Sequence, residues 1–553
     1  MQNSSPPGYS KTVGNTRQSK IHTLFLVQFD VKVGNKLVWY KSRDDEVDLN
    51  GIEYKALPSG ISNQTEAVVP LSHIYKKEIF YGLGRFRQRI LESETDRNDN
   101  QIARSDVKMF SLGIICKVKR DNEWRPNEFI QYGWEHISKL DCALQKFLDS
   151  EKFSDFTVFE SLFEDMTSET LRVEGDIQAI TYNPLNKIPA LFHVLGPLVF
   201  TLYKQALLRK RILIFHQDSY KIDYHTAGVF TYLLSLLSLF PRSADTSVSG
   251  QYFSTPLYYV CLHDLNDLSE MTNSTISVTS DTILMYQENA YDFAVFLPSE
   301  ENESPFILKA EDIVGKSESP ASMYNKRVRA SLNDYHNMKQ VYKNTVGNFS
   351  PYFQGEDQTS IKTTDSNISS DNSTIACPNY NPAPINEPSW WYNEAVESMS
   401  WMAYIWNAFS WFASAGAVYP EFNNIIESES SSGDIAGSSR DGATNVLLPL
   451  LEVVFSFHKI TNRLITIVNE SIEEEIRDVD CSMESIMPES PDPDNSFTTP
   501  GKVDLELSCD DMELMGLDPY SRTDLDFITG FVREYWGPSV DTVDVCTGIF
   551  SLC

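Results

Sequence analysis

The pattern of apolar positions is densest over residues 189–241. Apolar residues recur at three- and four-residue steps over residues 191–207, which predicts one helix with an apolar face. The run Ile212–Phe215 is continuously apolar and rich in β-branched residues, as expected of a strand covered on both faces of a parallel sheet. Helical spacing returns over residues 223–240, before a proline. This stretch predicts a helix, a buried strand and a second helix, an α/β unit at the core.

The N-terminal part predicts a lobe made of a sheet and a helix. Residues 22–30 and 36–40 are apolar runs on either side of a Gly-Asn turn, which indicates a hairpin. Residues 74–81 and 107–118 are two further predicted strands. Residues 134–147 have helical spacing and should pack on the sheet.

Three β-rich runs follow the core stretch at residues 252–262, 274–279 and 293–297, and they should extend the same sheet. Residues 445–469 have the spacing of a core helix, and Ser521 is placed to cap another. The expected fold class is therefore α/β, with a sheet-and-helix lobe, a central α/β lobe, and a helical C-terminal part that carries disordered inserts.

Composition places the boundaries between these parts, because runs rich in Ser, Asn, Pro or acidic residues cannot bury a core. We expect a disordered tail (1–20), an upstream lobe (21–150), a central lobe (175–345), a disordered insert (350–388), a helical downstream part (389–469), an acidic disordered spacer (470–503) and a helical closing segment (504–553).

One stretch is unusually aromatic, since five of the nine tryptophans lie at positions 390, 391, 401, 406 and 411. Residues 400–418 carry no charge over 19 positions, but their Ser, Asn and Trp content and the lack of a basic flank argue against a spanning helix. Two interpretations stay open, a buried helix of the downstream part and an aromatic helix in a membrane interface.

The net charge of −31 argues against nucleic acid as a partner, because such a chain repels phosphate backbones. Nearly half of this excess lies between Glu470 and Asp518, where 16 acidic residues face 2 basic ones. Residues 85–99 are charged and loop-like. We interpret the basic run at 85–89 as a solvated helix face.

The eight cysteines form no CxxC pair and have no histidine at metal-ligand spacing, so neither a metal site nor a disulfide framework is expected. A polar N-terminus without an apolar core region is unlike a secretory signal, which favours a reducing cytoplasm. The last residue, Cys553, is not part of a prenylation box.

Catalytic signatures are not evident in the sequence. Cys261, His263 and Asp264 lie close together, but on a strand Asp264 would face away from His263, so we interpret them as residues at the end of a sheet. No phosphate loop, nucleophile elbow or paired carboxylates were identified. We therefore assign no catalytic residue and no cofactor, and expect the protein to act by binding.

Several motifs resemble those of the DENN-domain family, in order along the chain. They are a strand ending in Phe29-Asp30, a Leu-Pro-x-Gly turn at 57–60, a strand followed by Gly-Arg-x-Arg at 84–87, and the core sequence LLRKRILIF at 207–215. Within that family the chain is most similar to the LCHN and Avl9-like group of fungal type, and MGLDPYS at 515–521 with YWG at 535–537 is the most specific match.

The resemblance implies a longin-like upstream lobe and a Rab-type small GTPase as partner, held between that lobe and the central lobe. Such proteins promote GDP release, so the implied activity is guanine-nucleotide exchange in vesicle trafficking, without covalent chemistry.

Alternatives from other classes remain. The first is a DENN-fold scaffold without exchange activity, attached to an intracellular membrane through the aromatic helix or through lipidated Cys546 and Cys553. The second, implied by divergent family members, promotes GTP hydrolysis through an arginine, for which Arg85, Arg87 and Arg89 are the candidates. We expect a cytoplasmic location, with peripheral membrane contact in the scaffold case.

Overall fold

The chain folds into two units in this computed structural model, residues 1–183 and residues 184–553. The residues that the structure describes are 17–18, 21–43, 47–76, 78–90, 107–117, 132–168, 170–171, 182–217, 222–241, 252–271, 274–300, 303–342, 387–398, 442–484 and 502–545.

The sheet of the first unit is antiparallel throughout. Its strands are β1 (Ile21–Asp30), β2 (Gly34–Ser42), β3 (Glu66–Tyr75), β4 (Glu78–Ile90) and β5 (Val107–Cys116). They pair in the order β3-β4-β5-β1-β2. The predicted hairpin is confirmed as β1 and β2. In addition, the two-residue strand Arg17–Gln18 pairs with Thr170–Leu171.

Helices of the first unit cover its sheet with aromatic side chains. They are α1 (Ile52–Ala56), α2 (Ile137–Ser150) and α3 (Thr157–Ser168), together with 3-10 turns at Ile61–Asn63 and Trp134–His136. The ring of Phe147 on α2 lies 5.3 Å from that of Phe110 on β5 and 4.9 Å from that of Phe159 on α3. The lobe therefore includes α3 and does not end at residue 150 as predicted.

Two predictions of secondary structure in this lobe were wrong. Residues 74–81 are not one strand, because the chain turns at Lys76, which has a φ of 49°, and both arms of the resulting hairpin are apolar. Residues 85–90 are neither loop nor helix, because they form the second half of β4. Strand β4 has 13 residues, so it does not match the pattern of a short alternating strand.

The second unit is built on a mixed sheet. Its strands are β6 (Ile212–Phe215), β7 (Thr255–Tyr259), β8 (Thr275–Thr279), β9 (Phe293–Phe296) and β10 (Phe306–Lys309), in the order β10-β9-β6-β8-β7. Only β10 runs antiparallel to its neighbour, and β6 to β9 are parallel. The prediction of a buried parallel strand at 212–215 is confirmed.

The first predicted core helix is in fact two, α4 (Ile188–Leu195) and α5 (Leu198–Leu207), which meet at an angle of 113°. The break is at Gly196, whose φ of 50° and ψ of −133° suit only glycine. Trp391 lies against this glycine, and a Cβ there would come within 2.6 Å of its indole ring. The apolar period continues through the break, so spacing alone could not show it.

The remaining elements complete the second unit. They are α6 (Tyr224–Leu237), α7 (Leu265–Glu270), α8 (Ala310–Ile313), α9 (Leu332–Val341), α10 (Trp390–Asn393), α11 (Gly442–Glu484), β11 (Val503–Leu507), α12 (Cys509–Leu514), α13 (Arg522–Trp536) and β12 (Val540–Val545), with 3-10 turns at Pro184–Lys187, Leu262–Asp264, Thr282–Tyr286, Pro320–Ser322 and Tyr324–Lys326.

The C-terminal part differs from its prediction in two respects. Helix α11 continues to Glu484, so the acidic residues 470–484 are helical rather than a disordered spacer. The closing segment is not only helical, because β11 and β12 pair in parallel on either side of α12 and α13. Along β11 the buried residues Val503, Leu505 and Leu507 alternate with exposed acidic ones, a strand pattern inside an acidic run.

No single helix within the described ranges combines the length and apolar character needed to cross a bilayer. The bent pair Pro184–Leu195 and Leu198–Leu207 reaches that length and composition only when both members are taken together. The aromatic stretch 400–418, most of the predicted tail 1–20 and nearly all of the predicted insert 350–388 lie outside the described residues.

The close approach of β5 to β1 gives a test of the first unit. Gly113 lies opposite Phe25, and a Cβ at Gly113 would come within 2.1 Å of the Phe25 ring, which is fully buried. Gly113→Ala should therefore destabilise this unit by about 1–3 kcal/mol, measured by urea unfolding. Val33→Ala, at an exposed hairpin tip, should stay within about 0.5 kcal/mol of the wild type. Equal midpoints for the two variants would contradict the packing.

Candidate functional site

The three arginines that sequence analysis singled out lie on β4 and are paired with carboxylates. Nε of Arg85 donates to Asp141 at 2.6 Å and Nε of Arg87 to the same carboxylate at 2.7 Å. Arg85 also pairs with Glu66. Arg89 donates to the Asp149 carboxylate at 2.6 Å and to the Glu151 carboxylate at 3.0 Å.

These ion pairs give the arginines a structural role. Burial alone would raise the pKa of Asp141, but hydrogen bonds from Arg87 and Arg85 hold it below its ordinary value. The hydrogen bond to Asp141 in turn raises the pKa of Arg87. The prediction of a solvated helix face was wrong, because the residues are on a strand and join it to α2. Their engagement also counts against a role in GTP hydrolysis.

Cys261, His263 and Asp264 lie where β7 ends, as predicted. Cys261 is the N-cap of a 3-10 turn, and His263 and Asp264 belong to that turn rather than to a strand. The Asp264 carboxylate accepts the backbone N–H of Cys261 at 2.9 Å, so it caps this turn. The two candidate lipidation sites, Cys546 and Cys553, lie outside the described residues. In the part of the chain that the structure describes, no group of three or more potential metal ligands is found.

The second unit has a groove with a volume of about 1740 Å³, which sequence analysis did not anticipate. One wall comes from the region of β10 and α9, and the other from α12, α13 and the loop between them. The lining includes the apolar residues Leu208, Phe293, Leu332, Leu517, Pro519 and Phe527.

The two walls of the groove carry opposite charge. The wall near β10 contributes Lys309, Lys326, Arg327 and Arg329, with Lys210 beside it. The wall from α12 and α13 contributes Asp510, Glu513, Asp518 and Asp526, against one cation, Arg522. The groove therefore combines apolar, cationic and anionic side chains.

A buried charge cluster joins the two walls behind the groove. Nζ of Lys204 on α5 lies 2.7 Å from both carboxylate oxygens of Asp334 on α9 and 2.5 Å from Oδ1 of Asp524 on α13. All three side chains are at most 4% exposed. Their sequence neighbours Gln205, Asn333 and Thr523 line the groove. We call this cluster the Lys204 triad.

Each carboxylate of the Lys204 triad also fixes the backbone around it. Asp334 belongs to a capping box with Ser331 at the start of α9. Asp524 accepts the N–H of Asp518 at 2.8 Å. The backbone N–H of Asp524 donates to the hydroxyl of Ser521. This confirms the prediction that Ser521 caps α13. The triad therefore sets where α9 and α13 begin.

Three further contacts hold the C-terminal wall in place. The hydroxyl of Tyr535 on α13 donates to the carbonyl of Leu207 at the end of α5, at 2.7 Å. The Asn333 amide donates to the carbonyl of Gly516 at 2.5 Å. Ser521 also donates to the Glu397 carboxylate at 2.8 Å. The groove is thus a fixed feature of the second unit.

One ammonium cannot compensate two buried carboxylates, and the pKa values follow from this. Burial alone would lower the pKa of Lys204, but the two aspartates raise it well above its ordinary value. Burial and the charge of Asp524 raise the pKa of Asp334 to about 6, against the opposing effect of Lys204. Asp334 therefore takes up a proton at a higher pH than an ordinary aspartate does.

Removing the cation should be the most damaging single change in the Lys204 triad. Lys204→Met leaves two carboxylates buried without a counter-charge, which should cost about 3–5 kcal/mol in thermal or urea unfolding. The triple variant Lys204→Met, Asp334→Asn, Asp524→Asn removes the uncompensated charge and should recover most of that loss. A triple variant no more stable than Lys204→Met would contradict this account.

The pH dependence of stability should report Asp334. The raised pKa of Asp334 stabilises the folded state most at pH values below 3.8, the ordinary pKa of an aspartate. This contribution is lost as the pH rises through about 6. The free energy of unfolding of the wild type, relative to that of Asp334→Asn, should therefore increase as the pH falls from 7 towards 4. Urea titrations of both proteins at several pH values measure this difference in free energy of unfolding. A difference that does not change with pH would contradict the raised pKa.

Comparison with known proteins places these features in a family. A family model described as DENN domain-containing protein 11 matches residues 24–306, just over half of the 553-residue chain. A second model, described as a domain of unknown function, matches residues 396–549, which include the C-terminal wall of the groove.

Whole proteins show the same relationship. The uncharacterized protein ANR2 of Saccharomyces cerevisiae is 25% identical, over 98% of this chain and 96% of that protein. DENN domain-containing protein 11 of Rattus norvegicus is 23% identical over 51% of this chain, and the match covers 59% of the rat protein. An uncharacterized protein of Schizosaccharomyces pombe is 24% identical over 53% of this chain and 68% of its own length.

The match to the first family model spans most of β1 and all of β2 to β9, and so strands of both units take part in the resemblance. This confirms the family and fold class expected from the sequence motifs. The chain belongs to the DENN domain-containing protein 11 family.

Proposed function

We propose that this protein is a guanine-nucleotide exchange factor for a Rab-type small GTPase in vesicle trafficking. The observation that carries the proposal is the family match over residues 24–306, since DENN-domain proteins are commonly exchange factors of this kind. The described surfaces agree with a protein that acts by binding. The groove of the second unit is lined by apolar and charged side chains, and the arginines of β4 are committed to ion pairs.

Exchange of this kind needs no covalent step. A protein that binds the nucleotide-free GTPase more tightly than the GDP-bound form shifts the population towards the empty state. This coupling is reciprocal. The exchange protein lowers the affinity of the GTPase for GDP by the same ratio as GDP lowers the affinity of the GTPase for the exchange protein. GTP then occupies the empty site by mass action.

The proposal includes a cytoplasmic location with peripheral attachment to an intracellular membrane. Acyl chains on Cys546 and Cys553 would supply two anchors, and two are needed for stable attachment, because one chain alone binds only marginally. Acyl-exchange labelling of the wild type and of Cys546→Ser/Cys553→Ser tests this part separately from exchange.

The purified protein should accelerate release of fluorescent GDP from at least one member of a panel of Rab-type GTPases. We expect about tenfold or more, within the range of typical coupling between two ligands of one protein. The same GTPase should bind the protein more tightly when nucleotide-free than when loaded with GDP. Release of GDP by EDTA shows that each GTPase is loaded and competent.

A scaffold without exchange activity is the alternative outcome of this experiment. It would bind a GTPase, or none, without changing the rate of GDP release from any member of the panel. That result would overturn the proposed exchange activity and leave the family assignment intact.

A further inference from the structure

The carboxyl edge of the parallel strands in the second unit presents an unusual surface. The chain turns there after β7, in the 3-10 turn Leu262–Asp264, and after β8, in the 3-10 turn Thr282–Tyr286. Strands β7 and β8 are neighbours in the sheet, so the two turns lie side by side. In open α/β sheets this edge is where ligands bind.

Both turns expose large apolar side chains. Leu262 is 42% exposed on the first turn, and Ile283 and Tyr286 are 57% and 50% exposed on the second. Ile283 and Tyr286 are three residues apart in a 3-10 turn, which places them on the same face. We call Leu262, Ile283 and Tyr286 the edge patch. Clustered exposure of large apolar side chains marks interaction surfaces.

Hydrogen bonds from below hold the edge patch in place. The N–H of Leu262 donates to the Asp281 carboxylate at 3.3 Å, which ties the first turn to the second. The hydroxyl of Tyr291 donates to the carbonyl of Met285 at 2.5 Å and supports the second turn from the buried side. The exposed side chains therefore stand on a preorganised backbone, which lowers the entropy cost of binding.

The sequence around the edge patch contains no cation. Between Arg242 and Lys309 there is no lysine or arginine, while ten acidic residues occur. On the carboxyl edge these include Asp281 after β8, and Glu300 and Glu303 after β9. The edge patch is thus an apolar centre with an acidic rim. The complementary partner has an apolar contact face with a basic rim.

We propose that the edge patch is the part of the central lobe that contacts the GTPase, through an apolar face of the GTPase rimmed by lysine and arginine. This inference rests on the proposed exchange function and adds to it a surface and the chemistry of the partner. The apolar centre supplies most of the affinity, as in interfaces where a few large side chains dominate. The acidic rim speeds association and makes it sensitive to salt.

Ile283→Asp places a charge in the centre of the edge patch, at a side chain that is 57% exposed. It should lower the rate of stimulated GDP release, and the affinity for the nucleotide-free GTPase, by about tenfold or more. Tyr286→Ala should act in the same direction. Phe455→Asp is the matched control, because Phe455 is also 57% exposed but lies on α11. It should exchange nucleotide like the wild type, and both variants should keep the wild-type urea midpoint.

A charge reversal tests the rim separately. Glu300→Lys should slow association with the GTPase at low salt, and the difference from the wild type should shrink as salt is raised. Equal exchange and binding by wild type and Ile283→Asp would overturn the edge patch as the contact surface. That result would not contradict the proposed exchange function.

The proposed function fails in a different way. Wild-type binding without accelerated GDP release would overturn exchange activity, and loss of that binding in Ile283→Asp would still support the edge patch. If the wild type neither binds nor accelerates any GTPase of the panel, both the function and the surface are overturned.

Discussion

The second unit depends on how it compensates a positive charge that its core helix buries. Lys204 lies on α5, whose residues are all buried, and an unpaired ammonium there would be costly. Two aspartates from distant parts of the chain meet it, separated from it by 130 and 320 positions in sequence. The fold of this unit is therefore incomplete until α9 and α13 have both reached α5.

This requirement joins parts of the chain that the family models treat separately. The first model ends at residue 306 and the second begins at residue 396, yet Asp334 lies between them and Asp524 lies inside the second. Lys204 belongs to the first. Because Lys204 pairs with both aspartates, the DENN part and the C-terminal part of this unit form one cooperative structure. The groove between them owes its fixed shape to the same contacts.

Local patterns predicted those elements whose residues carry their own signal. The strand Ile212–Phe215 is apolar at every position, and Ser521 is an ordinary N-cap, so both could be found from a few neighbouring residues. The apolar period runs unchanged through the bend at Gly196, and the only local signal there is the Gly196-Pro197 pair. Trp391, which packs against this glycine, is nearly two hundred positions away.

The sites were harder to predict than the fold for the same reason. The arginines of β4 were visible in the sequence, but their partner Asp141 is 54 positions from Arg87, so a solvated run and an ion-paired one had the same local pattern. For the Lys204 triad there was one usable signal, a lysine within the apolar sequence LVFTLYKQAL. A charge in such a helix either reaches solvent or is compensated, and only the fold shows which.

The distribution of charge also bears on the membrane attachment proposed above. A net charge of −31 is repelled by the anionic lipids of the cytoplasmic leaflet, so attachment through a basic patch is disfavoured. Three basic side chains of the second unit, Lys326, Arg327 and Arg329, lie in a groove whose other wall is mainly acidic. Attachment through acyl chains or through a membrane-bound partner avoids this repulsion. A membrane-bound GTPase would supply the second of these routes. Its basic rim would attract the acidic binding surface of this protein, while the anionic lipid repels the rest of the chain.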